Sequence, residues 1–248
     1  MFTGPNIVTD KLVLALDAAS QRSYSGSDST WYGLAGKDNE DFTLSNSSAT
    51  SSYQGGIVFD GTSTYGSGDG TFIENNFVNN QSFTVETFID ITGYPAANSS
   101  IYSNQRYQTE ANPGGFGLML ESNGSSYLRS SIILTSESGS TKSHQAIERV
   151  DLDLNNPTHI CYTYDSSSNT VTSYINGTLD GSTTNSAYHW TTSSASPAAI
   201  TPRIGMGSQG GWGNRLPSVY YTLRVYKTAL TQEEVQSNYN AIKSRFGK

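Results

Sequence analysis

Short apolar segments separated by turn residues are the feature that most limits how this chain can fold. The clearest pair is HICYTYD and TVTSYI, which the turn run Ser166–Asn169 joins. Asn176-Gly177 follows, and both residues tolerate the positive φ that a type I′ hairpin turn requires. Segments this short, with turn signals between them, are typical of antiparallel sandwiches and barrels. The other candidate strands are LVLALD (12–17), IVFD (57–60), FTVETFIDI (83–91), GLMLE (117–121), IILT (132–135), RIGM (203–206) and VYYTLRVY (219–226).

One helix is expected, near the C-terminal end, within 231–246. Thr231 is placed as its N-cap, and Glu234 stands where it completes a capping box. Leu230 and Val235 occupy the two positions of a hydrophobic staple around that cap. Apolar residues then recur at helical spacing, which predicts a helix that packs on the outside of the sandwich. This apolar stripe consists of Val235, Tyr239, Ile242 and Phe246.

Composition favours one all-β domain with its own core. A length of 248 residues suits a single sandwich, and 35% apolar with 14% charged residues fits strands that have one wet face. The net charge of −7, without a basic run, argues against nucleic acid, and the short apolar runs argue against membrane insertion. Cys161 is the only cysteine, so no intrachain disulfide forms, and beside His159 on an apolar strand it is expected to be inert core. We expect an N-terminal arm at 1–10 and one domain at 11–248.

Several stretches share their order with a known family: LVLALDAASQRSYSGSDSTWYGLAG, IVFDGTSTY, SFTVETFID, SYINGT, IGMGSQGGW and LRVYKTALTQEEVQSNYNAIKSRFG. Together they resemble the laminin-G-like (concanavalin A-like lectin/glucanase) domains in structural proteins of tailed bacteriophages, especially marine ones. The first and last stretches are the most specific. The resemblance spans about 4–248, essentially the whole chain. It implies an antiparallel two-sheet jelly-roll β-sandwich with a C-terminal α-helix.

For function, the resemblance implies a non-enzymatic structural component of a tailed bacteriophage virion: a decoration, fibre, spike or tail-associated protein. Such a component assembles in the host cytoplasm and contacts other virion proteins, as a homo-oligomer or in many copies. The arm, with Phe2, Ile7 and Val8, is expected either to clamp a neighbouring protein or to fold back onto its own sandwich. Two alternatives stay open. One is a carbohydrate-binding module for host surface glycans, and the other is a glycoside hydrolase with a non-standard site.

Relatives in this family often bind calcium near the first loop and the last strand. Here Gly33 stands where the family pattern usually has Asp, and Thr222 stands where Asp or Glu is frequent. A Ca²⁺ site needs six to eight oxygen ligands, so losing carboxylates weakens it. No cofactor is therefore expected. If calcium were bound, Asp17 and Asp60 would be the candidate ligands.

Glycosidase chemistry is not expected either. Retaining glucanases of this fold carry three carboxylates on one strand, because a nucleophile and an acid must share a face and lie about 5 Å apart. The nearest arrangements in this chain are the pairs Glu86/Asp90 and Asp151/Asp153, each without a third carboxylate. Such residues are typical of solvated strand faces.

Sugar binding needs an aromatic face beside hydrogen-bonding groups, because sugar rings have apolar CH faces and polar edges. The segments 102–107 and 188–190 supply both, and the second precedes a Ser/Pro stretch that leads to Trp212. Exposed aromatic side chains are also enriched at protein interfaces. We therefore predict a glycan- or interface-binding set: Tyr102, Asn104, Arg106, Tyr107, Tyr188, His189, Trp190 and Trp212.

Overall fold

The computed structural model describes residues 6–37, 40–46, 55–106, 114–122, 124–138, 141–192, 200–207 and 214–248. In these residues the chain forms a β-sandwich, as predicted, together with two α-helices, α1 (Phe72–Asn76) and α2 (Gln232–Ile242). A 3₁₀ turn, Lys243–Phe246, follows α2 directly. The strands are β1 (Leu12–Asp17), β2 (Thr30–Trp31), β3 (Phe42–Leu44), β4 (Ile57–Asp60), β5 (Gly66–Ser67), β6 (Phe83–Ile91), β7 (Ser99–Arg106), β8 (Gly114–Ser122), β9 (Leu128–Ser138), β10 (Thr141–Asp151), β11 (Thr158–Asp165), β12 (Thr170–Ile175), β13 (Thr178–Thr184), β14 (Arg203–Ile204) and β15 (Pro217–Tyr226).

The strands form two antiparallel sheets. Sheet A has the order β1-β15-β6-β11-β12-β13, and β4 pairs with β15 beyond the end of β1. Sheet B has the order β10-β9-β8-β7-β14-β5-β3-β2. Neighbours in sheet B such as β7, β14 and β5 are far apart in sequence, so this sheet brings distant segments side by side.

Strand β6 illustrates how period-2 alternation builds two layers. Phe83, Val85 and Ile89 face the core between the sheets, while Phe88 faces away and packs under α2. This confirms the alternation expected for the segment. The hairpin turn after β12 is confirmed as well, because Asn176 and Gly177 have φ values of 51° and 75°.

Aromatic rings fill the core between the sheets. Phe83 of sheet A stacks on Phe116 of sheet B, with ring centroids 3.9 Å apart. Trp190 meets both rings edge-on, at 6.0 Å and 5.1 Å. Each large aromatic ring buries much apolar surface, so this contact joins the two sheets tightly.

The C-terminal helix begins as predicted. The Glu234 backbone N–H donates to the Thr231 hydroxyl (3.3 Å), and the Thr231 N–H donates to the Glu234 carboxylate (2.8 Å). Val235 and Ile242 are buried, and the Phe246 ring stacks on Phe88 at 4.0 Å. The helix therefore closes the outer face of sheet A. Neither helix in the described part of the chain is long and apolar enough to cross a membrane.

The described part of the arm, residues 6–10, lies against its own sandwich. The Val8 N–H donates to Asn238 of α2 (2.8 Å), and the Tyr226 hydroxyl donates to the Val8 carbonyl (3.2 Å). The Ser237 hydroxyl donates to the carbonyl of Asn6 (3.2 Å). At Val8 and its neighbours the arm therefore folds back onto its own sandwich, which is one of the two alternatives expected for it. Phe2 lies outside the described residues.

Candidate functional site

Two of the predicted glycan-binding aromatic residues belong to the core. Tyr102 is fully buried between the sheets, where its hydroxyl accepts a hydrogen bond from Asn104 (3.1 Å). Trp190 is also fully buried, and its indole N–H donates to the Gln81 carbonyl (2.9 Å). The prediction that these rings face a ligand is corrected, because each ring is enclosed by its own fold. The misleading signal was the polar residues next to each ring in sequence, of which Asn104 serves the hydroxyl of Tyr102 inside the sandwich.

The other predicted residues have mixed positions. Asn104 is buried as well, and its side-chain oxygen finds no hydrogen-bond partner among the residues that the structure describes. Tyr188 and His189 are half-buried, and a ring nitrogen of His189 lies 2.8 Å from the Ala187 carbonyl. The backbone of Arg106 ends β7, while its side chain, with Tyr107 and Trp212, lies outside what the structure describes.

The two predicted segments are linked indirectly, through the backbones of Thr191 and Gly115. The Gly115 N–H donates to the Thr191 carbonyl (2.8 Å), and the Thr191 N–H donates to the Thr135 carbonyl (3.2 Å). Gln105 pairs with Gly115 across β7 and β8. Thr191 therefore bridges β8 and β9 at one end of sheet B, close to the end of β7.

The candidate calcium ligands are both engaged within the fold. Asp60 closes a tight turn by accepting from the backbone N–H groups of Thr62, Ser63 and Thr64 (2.7–2.9 Å). Partial burial opposes ionisation, but these hydrogen bonds hold the pKa of Asp60 well below its usual range. Asp17 forms an ion pair with Arg245, both oxygens lying 3.1 Å from Nη1. Across the described residues, no three metal-ligating side chains gather at one place.

The structure of the loop after β2 explains why Gly33 stands where the family pattern usually has Asp. Glu40 turns into this loop, and its carboxylate accepts from the backbone N–H groups of Ala35, Gly36 and Lys37 (2.9, 2.7 and 3.0 Å). A side chain at Gly33 would overlap the side chain of Glu40. Because position 33 has no side chain, the carboxylate of Glu40 fits into this space and holds the loop by hydrogen bonds.

Glu86 is the centre of a buried polar cluster between sheet A and α2. One oxygen accepts from Arg224 (2.9 Å) and Asn238 (3.0 Å), and Tyr226 lies at 3.4 Å. The other oxygen lies 3.4 Å from Nε2 of His159. Burial alone would raise the pKa of Glu86, but His159 and Arg224 lower it to about 2. The expectation of a solvated strand face is therefore wrong for Glu86, which is 1% exposed.

The remaining residues considered for chemistry are isolated or buried. Burial raises the pKa of the Cys161 thiol well above its usual range, which keeps it protonated. Asp90 is partly exposed beyond Glu86 on β6, and burial raises its pKa. Asp151 lies at the surface and pairs with Arg129 at 2.6 Å. These groups do not combine into one site.

The outer face of sheet B contains a polar surface that the sequence did not indicate. Residues that pair with one another across neighbouring strands form a row over six strands of this face. All of them are small or polar except the residue on β9. The row consists of Thr43, Ser67, Arg203, Ser103, Gly117 and Ile133. Ser103 and Ile133 are buried, whereas Ser67 and Arg203 are half-buried, so the face opens towards β3 and β5.

At this open end lies a pocket of about 370 Å³, lined by Asp41, Thr43, Ser67, Gly68 and Asp69. Hydrogen bonds from the Thr71 backbone and hydroxyl lower the pKa of Asp69, which therefore accepts hydrogen bonds at neutral pH. We call this surface the sheet B pocket.

Beside the sheet B pocket, the lining residue Ser67 contacts a cluster of two arginines and one tyrosine. Arg203 donates to the Ser67 hydroxyl, and its guanidinium carbon lies 5.2 Å from the centroid of the Tyr65 ring. The guanidinium carbon of Arg215 lies 5.1 Å from the same centroid. The arrangement supplies hydrogen-bond donors, acceptors and an aromatic ring in one place. This cluster could not be predicted from the sequence, because Tyr65, Arg203 and Arg215 come from separate segments. Tyr65 and Arg203 come together where β5 pairs with β14.

Comparison with known proteins agrees with this architecture. Residues 60–236 match the family model described as the concanavalin A-like lectin/glucanases superfamily. No curated protein is similar enough in sequence to count as a match. Three solved structures illustrate the likeness of fold. They are a mutant of HCR/D (15% identity, TM-score 0.65), Trypanosoma rangeli sialidase in complex with sialic acid (15%, 0.63) and the botulinum neurotoxin serotype D binding domain (13%, 0.61).

These structures are longer than this chain. The matches cover 94%, 98% and 94% of this chain, but only 52%, 35% and 51% of the HCR/D, sialidase and neurotoxin chains. At such low sequence identity they establish the fold alone. The family match covers most of the chain, and the two-sheet architecture agrees with it. The chain belongs to the concanavalin A-like lectin/glucanase superfamily.

Proposed function

We propose that this chain is a non-catalytic carbohydrate-binding module and that the sheet B pocket is its glycan site. The observation that carries the proposal is the contrast between the two outer faces. Helix α2 closes the face of sheet A, whereas the face of sheet B, although buried at Ser103 and Ile133, opens at its β3–β5 end into a polar pocket. Family membership and the sialic acid complex of a structurally similar sialidase support a saccharide as the ligand.

The chemistry of the sheet B pocket suits sugar hydroxyl groups. Among the lining residues, Asp41 and Asp69 accept hydrogen bonds, and Thr43 and Ser67 can accept or donate them. Arg203, which donates to Ser67, adds a donor beside the lining. Each charge-assisted hydrogen bond contributes about 1.5–3 kcal/mol, so a few of them suffice for specific binding.

The proposal that the module does not catalyse is supported by the state of its carboxylates. Glu86 is held by Arg224 and Asn238 beneath α2, away from solvent. Asp41 and Asp69 line the sheet B pocket from different loops and are engaged with the backbone N–H groups of Gly33 and Thr71. Incubation with β-glucans, alginate and bacterial polysaccharides should release no reducing ends. Turnover that disappears in Asp41→Asn or Asp69→Asn would contradict this part of the proposal.

Binding is tested with a glycan array followed by calorimetry on the best ligand. We expect Asp69→Asn and Arg203→Gln each to weaken binding about tenfold, because each removes one charge-assisted contact. Asp153→Asn is the matched control, since Asp153 is exposed and does not line the sheet B pocket. All variants should keep the wild-type melting temperature within about 2 °C. A protein that binds no glycan, or pocket variants that bind like wild type, would refute the site.

For its biological setting we propose the surface of a tailed bacteriophage particle, where a glycan-binding module would contact the host. This part rests on the sequence resemblance at the two ends of the chain. Mass spectrometry of purified particles should detect the protein at several copies per particle. Its absence from intact particles would remove the virion setting and leave the binding proposal standing.

A further inference from the structure

A second pocket, away from the sheet B pocket, lies between the arm and the loop after β2. It has a volume of about 420 Å³ and is lined by Lys11, Lys37 and Lys227. These are three of the six lysines in a chain whose net charge is −7. Asp10 is the one carboxylate among the described lining residues. We call this the lysine pocket.

The backbone around the lysine pocket is fixed before any ligand arrives. Lys11 has a φ of 58°, a conformation that costs energy for residues other than Gly, Asn or Asp. The Lys227 N–H donates to the Lys11 carbonyl (2.9 Å), which joins two of the lysine positions directly. The Lys37 N–H donates to Glu40 (3.0 Å), which holds the third position on its loop.

An apolar recess of about 180 Å³ adjoins the lysine pocket and shares the residues Leu12 and Leu34 with it. Ile7 and Leu16 also line this recess, together with Asp17 and Arg224, whose charges are paired with Arg245 and Glu86. The two spaces together offer lysine charges on one side and a mainly apolar recess on the other. A ligand that fits them carries an anionic group next to a small apolar substituent.

We propose that the lysine pocket is a second saccharide subsite, specific for a carboxylated sugar that carries an acyl group. The carboxylate lies among Lys11, Lys37 and Lys227, and the acyl methyl group lies in the recess beside Leu12 and Leu34. The proposal rests on the proposed function, because it takes the ligand to be a saccharide. Three ammonium groups compensate the charge of a carboxylate that a neutral polar pocket would leave unpaired.

The test measures binding of N-acetylglucosaminuronic acid, its methyl ester and free acetate to the whole protein by NMR titration. The acid should bind at least about tenfold more tightly than the neutral ester, because the ester removes the charge-assisted contacts. Acetate alone should bind more weakly than the acid, since it lacks the ring. Lys11→Asn and Lys37→Ser should each weaken binding of the acid about tenfold. Asn also tolerates the backbone conformation at position 11.

Lys248→Gln is the matched control, because it removes one positive charge outside the pocket, where Lys248 donates to Asn156. Equal binding of acid and ester, or unchanged binding in both lysine variants, overturns the inference. Acetate that binds as tightly as the acid also overturns it, since the site would then recognise a free anion. If Asp69→Asn reduces binding of the acid while the lysine variants do not, the sheet B pocket stands and this inference fails. If no neutral glycan binds but the acid still depends on the lysines, the inference stands and the sheet B pocket fails.

Discussion

The outer faces of the two sheets both consist of antiparallel strands, yet a helix covers one face and a pocket opens at one end of the other. Sheet A presents Phe88, Tyr221 and the Glu86–Arg224 pair, and these are buried beneath α2. On sheet B the corresponding residues Ser103 and Gly117 are buried as well, and the face becomes accessible at its other end, where Thr43 is exposed and Ser67 and Arg203 are half-buried. Large rings and paired charges need a cover that excludes water, whereas polar residues can stay in contact with it. The outward side chains of sheet A therefore form a second core with α2, while the β3–β5–β14 end of sheet B remains available to a ligand.

Removing the cover from sheet A should have the largest effect. We expect deletion of 231–248 to give an insoluble protein or a fall in melting temperature of more than about 10 °C. Burial of Val235, Tyr239 and Ile242 contributes roughly 1.5–3 kcal/mol each, against a total stability of about 5–15 kcal/mol. Thermal unfolding measured by circular dichroism checks this. An unchanged transition would mean that the face of sheet A does not need its helix.

Breaking the buried charge cluster comes next. Glu86→Ala leaves Arg224 buried without its partner and should lower the free energy of unfolding by about 3–5 kcal/mol in urea denaturation. Asp151→Asn breaks the exposed pair with Arg129 and serves as the control, with an expected loss below about 1 kcal/mol. Equal losses in the two variants would show that burial under α2 does not distinguish the pairs.

The pH dependence of the same cluster should be smaller. The pKa of Glu86 is lowered to about 2 because His159 and Arg224 outweigh the effect of burial. A lowered pKa in the folded state means that ionised Glu86 stabilises the protein above pH 4.5, the ordinary value, and that this is lost as pH falls towards 2. The free-energy difference between wild type and Glu86→Gln should thus shrink by about 3 kcal/mol across this range. A difference that stays constant from pH 7 to pH 3 would contradict the lowered pKa.

The smallest expected effect concerns the loop after β2, which ends at Asp41 in the lining of the sheet B pocket. Gly33→Ala should lower the free energy of unfolding by about 1–3 kcal/mol, because the added methyl group overlaps Glu40. In a Glu40→Ala background the same change should cost almost nothing. A double-mutant cycle measures this coupling, which we expect to exceed about 1 kcal/mol. Additive losses would mean that the loop relaxes to accommodate both side chains.

Features coded by adjacent residues were predictable from the sequence. The capping box of Thr231 and Glu234 and the alternation within β6 are both local patterns, and the structure confirms them. Glu86 was misjudged because its cover, α2, comes from the far end of the chain. The burial of an outward-facing residue depends on such tertiary contacts and not on the pattern of its own strand.

The candidate sites were harder to predict than the fold. Trp190 and Tyr102 have polar neighbours in sequence, and this pattern is shared by binding loops and by core residues whose polar atoms need partners. Tyr65 and Arg203 meet only because β5 pairs with β14. At Gly33 the loss of a carboxylate suggested a missing ligand, but the side chain of Glu40 fills that space. No local signal in a single sequence carries these long-range contacts.

The docking of the arm onto α2 has a consequence for how the module can be oriented. Val8 and Asn238 are hydrogen-bonded, so the described part of the arm lies with α2 on the sheet A side of the sandwich. A tether, a fused protein or an immobilising support joined after α2 would approach from that side. The sheet B pocket would then point away from the attachment. The same connection that completes the fold thus sets the direction in which an anchored copy faces its surroundings.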